Sequence, residues 1–169
     1  MKKILCSLLS LALCLSLAAC GNNAPTKADF KSVYDSSAEK LISVGDARAD
    51  IEAIYGEPEN SYSGLDIYKE DKSIALAYDA NGNIKEIAVP TNNSDNYVFE
   101  DMSYEMSESD VSSTFEKVVV SSEYTNYYMY YDASGKQTPK ENAQYFKRIS
   151  FNASGEVITI AVGATSAAP

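Results

Sequence analysis

Three turn signals of one kind, set between runs of alternating residues, leave this chain few folds to choose from. They are Asp79-Ala80-Asn81-Gly82-Asn83, Asp132-Ala133-Ser134-Gly135 and Asn152-Ala153-Ser154-Gly155. Asn, Asp and Gly tolerate positive φ, so each reads as the tight turn of a hairpin. Around the first turn the apolar period is two. Leu65 and Ile67 alternate with Asp66 and Tyr68, and Ile74, Leu76 and Tyr78 with Ser73, Ala75 and Ala77, before Ile84 to Val89 returns as a strand. The expected product is an antiparallel meander of three or four strands. With 169 residues, 45% of them apolar, the chain suits one compact domain or two very small ones.

Upstream of the meander the period is helical. Phe30, Val33, Tyr34, Ala38, Leu41 and Ile42 recur on one helical face, which predicts a helix from about Lys27 with Thr26 as its cap. Gly45 breaks that pattern. Asp46 then caps a shorter predicted helix with Ala47, Ile51 and Ile54 on its apolar side, ended by Gly56 and Pro58.

The same grammar returns further on. One offset lays Met102-Ser103-Tyr104 on Ile42-Ser43-Val44, Asp110-Val111 on Asp50-Ile51 and Phe115 on Tyr55. A second, longer offset lays Phe151 to Val157 on Tyr78 to Ile84, with the additional residues falling around the Asp132 turn. This is the pattern of an internal duplication. The expected fold class is α+β: two tandem repeats, each a helix-loop-helix packed on an antiparallel β-meander. The repeats span 27–91 and 97–163, with the polar stretch Asn92 to Asn96 as link and 164–169 as an unstructured tail.

The stretch Ile42-x-Val44-Gly45-Asp46-x-x-x-Asp50-Ile51-x-x-Ile54-Tyr55-Gly56-x-Pro58 resembles the BLIP/BamE-like superfamily. That superfamily includes a secreted β-lactamase inhibitory protein and small outer-membrane assembly lipoproteins. The resemblance implies a helix-loop-helix on an antiparallel sheet, and binding through that sheet. The family's usual Gly-Met-Thr is Gly45-Asp46-Ala47 here and Glu105-Met106-Ser107 in the second copy, and the inhibitor's disulfides have no counterpart. PepSY-type domains, also small helix-plus-sheet units of exported proteins, are the rival resemblance.

Residues 1–19 read as an export signal. Lys2 and Lys3 precede an apolar run from Ile4 to Leu17, which is too short for a comfortable membrane span. Leu17-Ala18-Ala19-Cys20 resembles the lipobox of bacterial lipoproteins, which implies cleavage before Cys20 and a diacylglycerol on its thiol. Residues 20–26 would be the lipidated cysteine and a flexible tether. Cys6 and Cys14 leave with the signal, so the folded part has no thiol for a disulfide. The expected location is the extracytoplasmic side of a bacterial cell membrane, held there by lipid alone.

Charge and composition remove whole classes of function. Fourteen Lys and Arg against 24 Asp and Glu give a formal charge of −10, which argues against nucleic acid as a partner. The chain has no His, so Ser-His-Asp chemistry and His-ligated metal sites are excluded. Asp79-x-Asn81-Gly82-Asn83 lacks the closing Glu of a calcium loop, for which Pro90 cannot substitute. Ser107-x-x-Asp110 reads as a capping box with Asp in place of Glu. Glu57 and Glu59 flank Pro58 with nothing to make them converge. The expectation is no enzyme, no cofactor and no metal.

What remains is tyrosine: 13 in all, five of them between Tyr124 and Tyr131. Alternation separates Tyr124, Tyr128 and Tyr130 from Tyr127, Met129 and Tyr131. Laying Tyr131 on Tyr78, beside Ile74 and Leu76, puts the second set in the core and the first set outward. The same parity turns Phe146 and Arg148 outward against Tyr145 and Ile149, and in the first copy exposes Asp66 and Tyr68. An open sheet face of Asp66, Tyr68, Tyr124, Tyr128, Tyr130, Phe146 and Arg148 has the composition of a contact surface. Aromatic residues also favour strands and cover one another there, and both readings stand at this point. The function expected is a non-enzymatic protein-binding module, inhibitor-like or scaffold-like, for an envelope or secreted partner. The alternative is a small-ligand or peptide sensor, which requires a concave pocket between the repeats.

Overall fold

The computed structural model describes residues 27–69, 73–121 and 125–167. The signal, Cys20, the tether and Tyr124 lie outside the described residues. The fold is α+β, with two short helices and two sheets whose strand pairs are all antiparallel.

The first elements correct the sequence reading. In place of a helix from Lys27, β1 (Ser32–Asp35) and β2 (Lys40–Ser43) form a hairpin. Val33 pairs with Ile42 and both are fully buried, so the apolar spacing that fits a helical face also fits a folded-back pair. Asp35 decides between them. Its Oδ1 accepts from the backbone N–H of Ser37 at 2.8 Å and of Ala38 at 3.1 Å, an Asx turn that closes the hairpin. Glu39 completes the reversal at φ 53°. Helix α1 (Arg48–Tyr55) then follows and ends at Gly56, which has φ 82°. Asp46 does not cap it: its Oδ2 accepts from Ser43 N–H at 2.8 Å instead.

A meander of β3 (Asn60–Tyr62), β4 (Leu65–Tyr68), β5 (Ile74–Tyr78) and β6 (Ile84–Pro90) comes next. Residues 91–96 are more than a patternless link. They form a 3-10 turn with Asn93 fully buried, its amide donating to Ser73 O at 3.2 Å and to Ser73 Oγ at 3.0 Å. β7 (Tyr97–Phe99) returns to β1, so the small sheet has the order β2-β1-β7.

Helix α2 (Glu108–Thr114) opens on the expected capping box, Ser107 and Asp110 each satisfying the other's backbone N–H. A second meander follows: β8 (Val119–Ser121), β9 (Asn126–Tyr131), β10 (Tyr145–Phe151) and β11 (Val157–Ala164). The tail is structured as far as it is described. Thr165–Ala167 makes a 3-10 turn, anchored by Thr165 N–H on Gln144 O and Thr165 Oγ1 on Ala143 O, each at 3.0 Å.

The two meanders join into one eight-stranded sheet, β3-β4-β5-β6-β11-β10-β9-β8. One face of this sheet carries the core: Ile74, Leu76, Ile87, Val89, Ile149, Ile160 and Val162 pack with Ile51 of α1, Val111 of α2, and Val33, Ile42, Tyr97 and Phe99 of the small sheet. Each large aliphatic side chain so enclosed contributes about 2–3 kcal/mol of transfer free energy. Both helices and the small sheet therefore lie on one side. The other face of the large sheet is the functional candidate.

Candidate interaction face

Register places the side chains of this outer face in rows across the strands, because directly paired residues point the same way. One row runs Tyr130, Phe146, Gly163, Glu86, Ala77, Leu65, Tyr62. The next runs Val119, Tyr128, Arg148, Ala161, Ala88, Ala75, Ile67, Asn60. Side-chain height thus falls to Ala and Gly over the central strands and rises to aromatic residues on β9 and β10, and to Leu65, Ile67 and Tyr62 on β3 and β4.

Tyr128, Tyr130 and Phe146 do share this face, turned away from the helices, while Tyr127, Met129 and Tyr131 belong to the main core. They are not exposed, however. Tyr128 and Tyr130 retain 4% of their accessible surface and Phe146 none. The two tyrosine rings stack 6.0 Å apart, Tyr128 leans on Phe146 at 5.8 Å, and Ala143 packs against the group. Beneath them, Gly163 makes room for the Phe146 ring: a Cβ at that position would lie 2.6 Å from it. These aromatics cover one another, which is the strand-filling behaviour of large rings.

Asp66 and Tyr68 are on the opposite side from the one the sequence suggested. Asp66 pairs with Leu76 and Tyr68 with Ile74, so both face the helices, and Tyr68 is fully buried. Apolar Leu65 and Ile67 are the residues turned outward and half-exposed. The inward polar groups meet partners from other elements. Arg48 at the start of α1 meets Asp66 at 2.6 Å and lies over the Tyr78 ring at 4.2 Å. Ser61 donates to Asp66 at 2.6 Å, and the Tyr68 and Tyr78 hydroxyls pair at 3.0 Å. Asp66 and Tyr68 clamp α1 to the sheet edge.

Arg148 faces outward as expected. Its guanidinium crosses β11 above Ala161 to reach Glu86 on β6 at 3.0 Å, and its Nε is buried without a hydrogen-bond partner. Burial pushes the Glu86 carboxyl above the usual range, against the opposing pull of Arg148. The pair supplies both charges in the two full rows, on a chain of net charge −10. Replacing Arg148 by Ala should cost about 2 kcal/mol, because Glu86 is left buried without its cation. A raised folded-state pKa favours the folded state at pH below the ordinary Glu value and ceases to as pH rises, so the loss should shrink between pH 7 and pH 4.5. Denaturant titrations of the wild type and of Arg148→Ala at both pH values measure this.

Two buried charges escaped the sequence reading. Lys147, 1% exposed, faces the helices, with its ammonium 3.0 Å from Glu100 O, 3.4 Å from Glu100 Oε2 and 5.3 Å above the Tyr131 ring. Burial lowers its pKa, and Glu100 opposes the shift. The parity that places Tyr145 and Ile149 inward places Lys147 inward too, so the signal was present. Asp35, fully buried beside the turn of the hairpin, had none.

A cavity of about 450 Å³ lies beside the end of α2, lined by Asp101, Phe115, Lys117, Tyr131, Lys136 and Gln137 among others. Among the described residues no cluster of three or more His, Cys, Asp or Glu could hold a metal ion, and no helix is long and apolar enough to cross a membrane.

No protein-family model matches the chain, and no curated protein matches it. Solved structures similar to the chain include two of bacterial proteins. One is a DUF4309 family protein, YjgB, from Bacillus subtilis, with a TM-score of 0.46 and 13% identity over 70% of this chain and 78% of that one. The other is a cysteine-rich secretory protein, SAV1118, from Staphylococcus aureus, with a TM-score of 0.46 and 7% identity over 71% of this chain and 44% of that one.

Proposed function

We propose that this is an exported, lipid-anchored protein of a bacterial cell envelope that binds another protein on the outer face of its eight-stranded sheet and catalyses no reaction. One observation carries the reading. Both helices and the small sheet pack on the helix side, whereas the packing described on the outer face is the small group of Tyr128, Tyr130, Phe146 and Ala143 at one corner. A sheet face built of Ala, Val, Leu, Ile, Tyr and Phe is ordinarily matched by a second layer. Here a partner supplies it. The face has a floor of small residues, two apolar flanks and a neutral ion pair, so it fits an apolar, uncharged surface. The acidic remainder of the chain steers in partners that are neutral or basic overall. The lipobox-like Leu17-Ala18-Ala19-Cys20 supports the anchor, and the BLIP/BamE-like stretch supports binding through a sheet.

The same reading takes the chain as two tandem units meeting at β6 and β11. In each, one helix precedes a four-stranded meander, and the strand order mirrors about that junction. The first unit carries the β1–β2 hairpin where a second helix was expected.

Site-directed cross-linking in intact cells tests the proposal. A photo-reactive residue in place of Ala75 or Thr159, both on the outer face, should yield a discrete protein adduct. The same residue in place of Ala53, exposed on α1, should yield none. Equal adducts from all three, or none from any, would remove the outer face as the binding surface. The cavity beside α2 favours the second reading, a small-ligand sensor; adducts absent from the face together with a saturable ligand in that cavity would establish it.

A further inference from the structure

The described chain begins at one end of the large sheet, and five lysines outside the salt bridges gather there. Phe30 is wedged against Tyr131 at 5.9 Å and Tyr145 at 5.4 Å, and a Cβ on Gly135 would lie 2.7 Å from its ring. Tyr131 and Tyr145 are paired at the adjoining ends of β9 and β10. Lys31 lies over the Tyr145 ring at 5.7 Å, Lys85 lines a cavity with Tyr145, and Lys117 and Lys136 line the cavity beside Tyr131. Among the described residues Arg48, Lys69, Lys147 and Arg148 are in salt bridges, whereas Lys27, Lys31, Lys85, Lys117 and Lys136 are not; Lys40, also outside the salt bridges, lies apart from them beside the Asp35 turn.

The acids at this end are Asp29, Asp46, Asp101 and Glu116, with the turn residues Asp79 and Asp132. Asp79 accepts from Asn81 N–H and Asn83 N–H at 2.9 Å each, and Asp132 from Ser134 N–H at 2.8 Å. Six acids against five lysines leave this end near neutral, so most of the charge of −10 belongs to the rest of the molecule.

We infer that this end of the sheet is seated on the lipid surface, its lysines against headgroup phosphates. The inference rests on Cys20 being the lipid anchor. Lys27 lies seven residue steps beyond Cys20, and an extended chain spans at most about 3.6 Å per residue, so Lys27 is held within about 25 Å of the anchor. A tether of that reach brings this end to the bilayer without strain and leaves the rest of the orientation to charge. Anionic headgroups repel an acidic body and attract each lysine by about 1 kcal/mol near the surface, over roughly a Debye length. The near-neutral, lysine-bearing end is the one they repel least. Seated this way, the strands stand up from the membrane and the outer face opens sideways, towards partners in the same envelope layer.

Quenching by lipid reads the orientation directly. The acylated protein is placed in phosphatidylcholine vesicles with about 30% phosphatidylglycerol and a headgroup nitroxide. A bimane is attached through Ser134→Cys, in the turn after β9, or through Ser154→Cys, in the turn before β11 at the far end of the sheet. Bimane at position 134 should be quenched several-fold more than at position 154. Lys117→Glu combined with Lys136→Glu should reduce that quenching while the protein stays vesicle-bound. Equal quenching, the reverse order, or no quenching at either site from bound protein overturns the orientation. Mass spectrometry separates this from failure of the anchor: a wild-type chain without acyl groups on Cys20 removes the premise, and Cys20→Ser should abolish vesicle binding.

Discussion

Replacing Asp35 by Ala should destabilise the protein by about 3–5 kcal/mol, the range for breaking a buried, hydrogen-bonded ion pair by removing one partner. The carboxylate is fully buried and ties three parts of the chain together. Its Oδ1 accepts from Ser37 N–H at 2.8 Å, Ser37 Oγ–H at 2.7 Å and Ala38 N–H at 3.1 Å, which closes the β1–β2 turn. Its Oδ2 accepts from Tyr55 O–H at 2.5 Å and from Lys69 at 3.3 Å, which ties in the last turn of α1 and the end of β4. Without it a phenol, an ammonium and two amides lose their acceptor together, and the penalty falls on each of them.

The same site gives the fold an acid-sensitive point. Burial pushes the Asp35 carboxyl up, but the bonds from Tyr55, Ser37 and Ala38, with the Lys69 charge, more than reverse that and hold it below the usual carboxylate range. A group whose pKa is lower in the folded than in the unfolded chain stabilises the fold above the unfolded value, about 3.9, and loses that contribution as pH falls through the folded value. Wild-type stability should therefore drop below about pH 4, and Asp35→Asn should flatten that part of the curve. Denaturant midpoints from pH 3 to pH 7 for both proteins measure it. An unchanged acid limb in Asp35→Asn would mean that other carboxylates carry the acid sensitivity.

Gly163→Val is expected to cost about 3 kcal/mol, at the upper end for overpacking. Even a methyl group here meets the Phe146 ring at 2.6 Å and the Lys85 carbonyl at 3.0 Å. The backbone oxygen cannot move far, so the ring must, and Phe146 is what Tyr128 leans on. The effect is thus coupled through one side chain, which a double-mutant cycle isolates. Gly163→Ala alone should be destabilised, and Gly163→Ala with Phe146→Leu should be less destabilised than the sum of its two single changes. Strict additivity would show that the clash is relieved elsewhere. Because this cluster forms one flank of the outer face, Gly163→Val should also weaken cross-linking from Ala75 more than a core change of equal cost, such as Ile160→Ala.

Much of the architecture was legible because it is local. The turns at Asp79, Asp132 and Asn152 are made by residues that hydrogen-bond their own backbone two to four positions on, and such contacts need no tertiary partner. The Ser107–Asp110 capping box is local in the same way, and the parity of β9 and β10 followed from alternation once one core position was known. Cys20 and its lipobox-like setting are matters of sequence alone.

Where the chain was misread, a distant partner made the choice. Residues 32–43 satisfy a helical spacing, yet β7, some sixty residues on, pairs with β1 and fixes it as a strand; Tyr55 and Lys69 hold the Asp35 turn from outside. In β4 the hydropathy pattern points Leu65 and Ile67 inward, and Arg48 and Tyr78 reverse it by offering Asp66 and Tyr68 an ion pair and a hydroxyl. The tyrosines of β9 read as open surface because no sequence pattern shows that Phe146 will fill the space over Gly163 and that Tyr128 and Tyr130 will stack beside it. Sequence determined the central strands of the two meanders, their tight turns and the Ser107 cap, since short-range hydrogen bonds and alternation suffice for those. Which face of β4 is core, whether the first segment folds back, and how much of the aromatic face meets solvent were decided only by tertiary structure, because each depends on groups that the fold alone brings within reach.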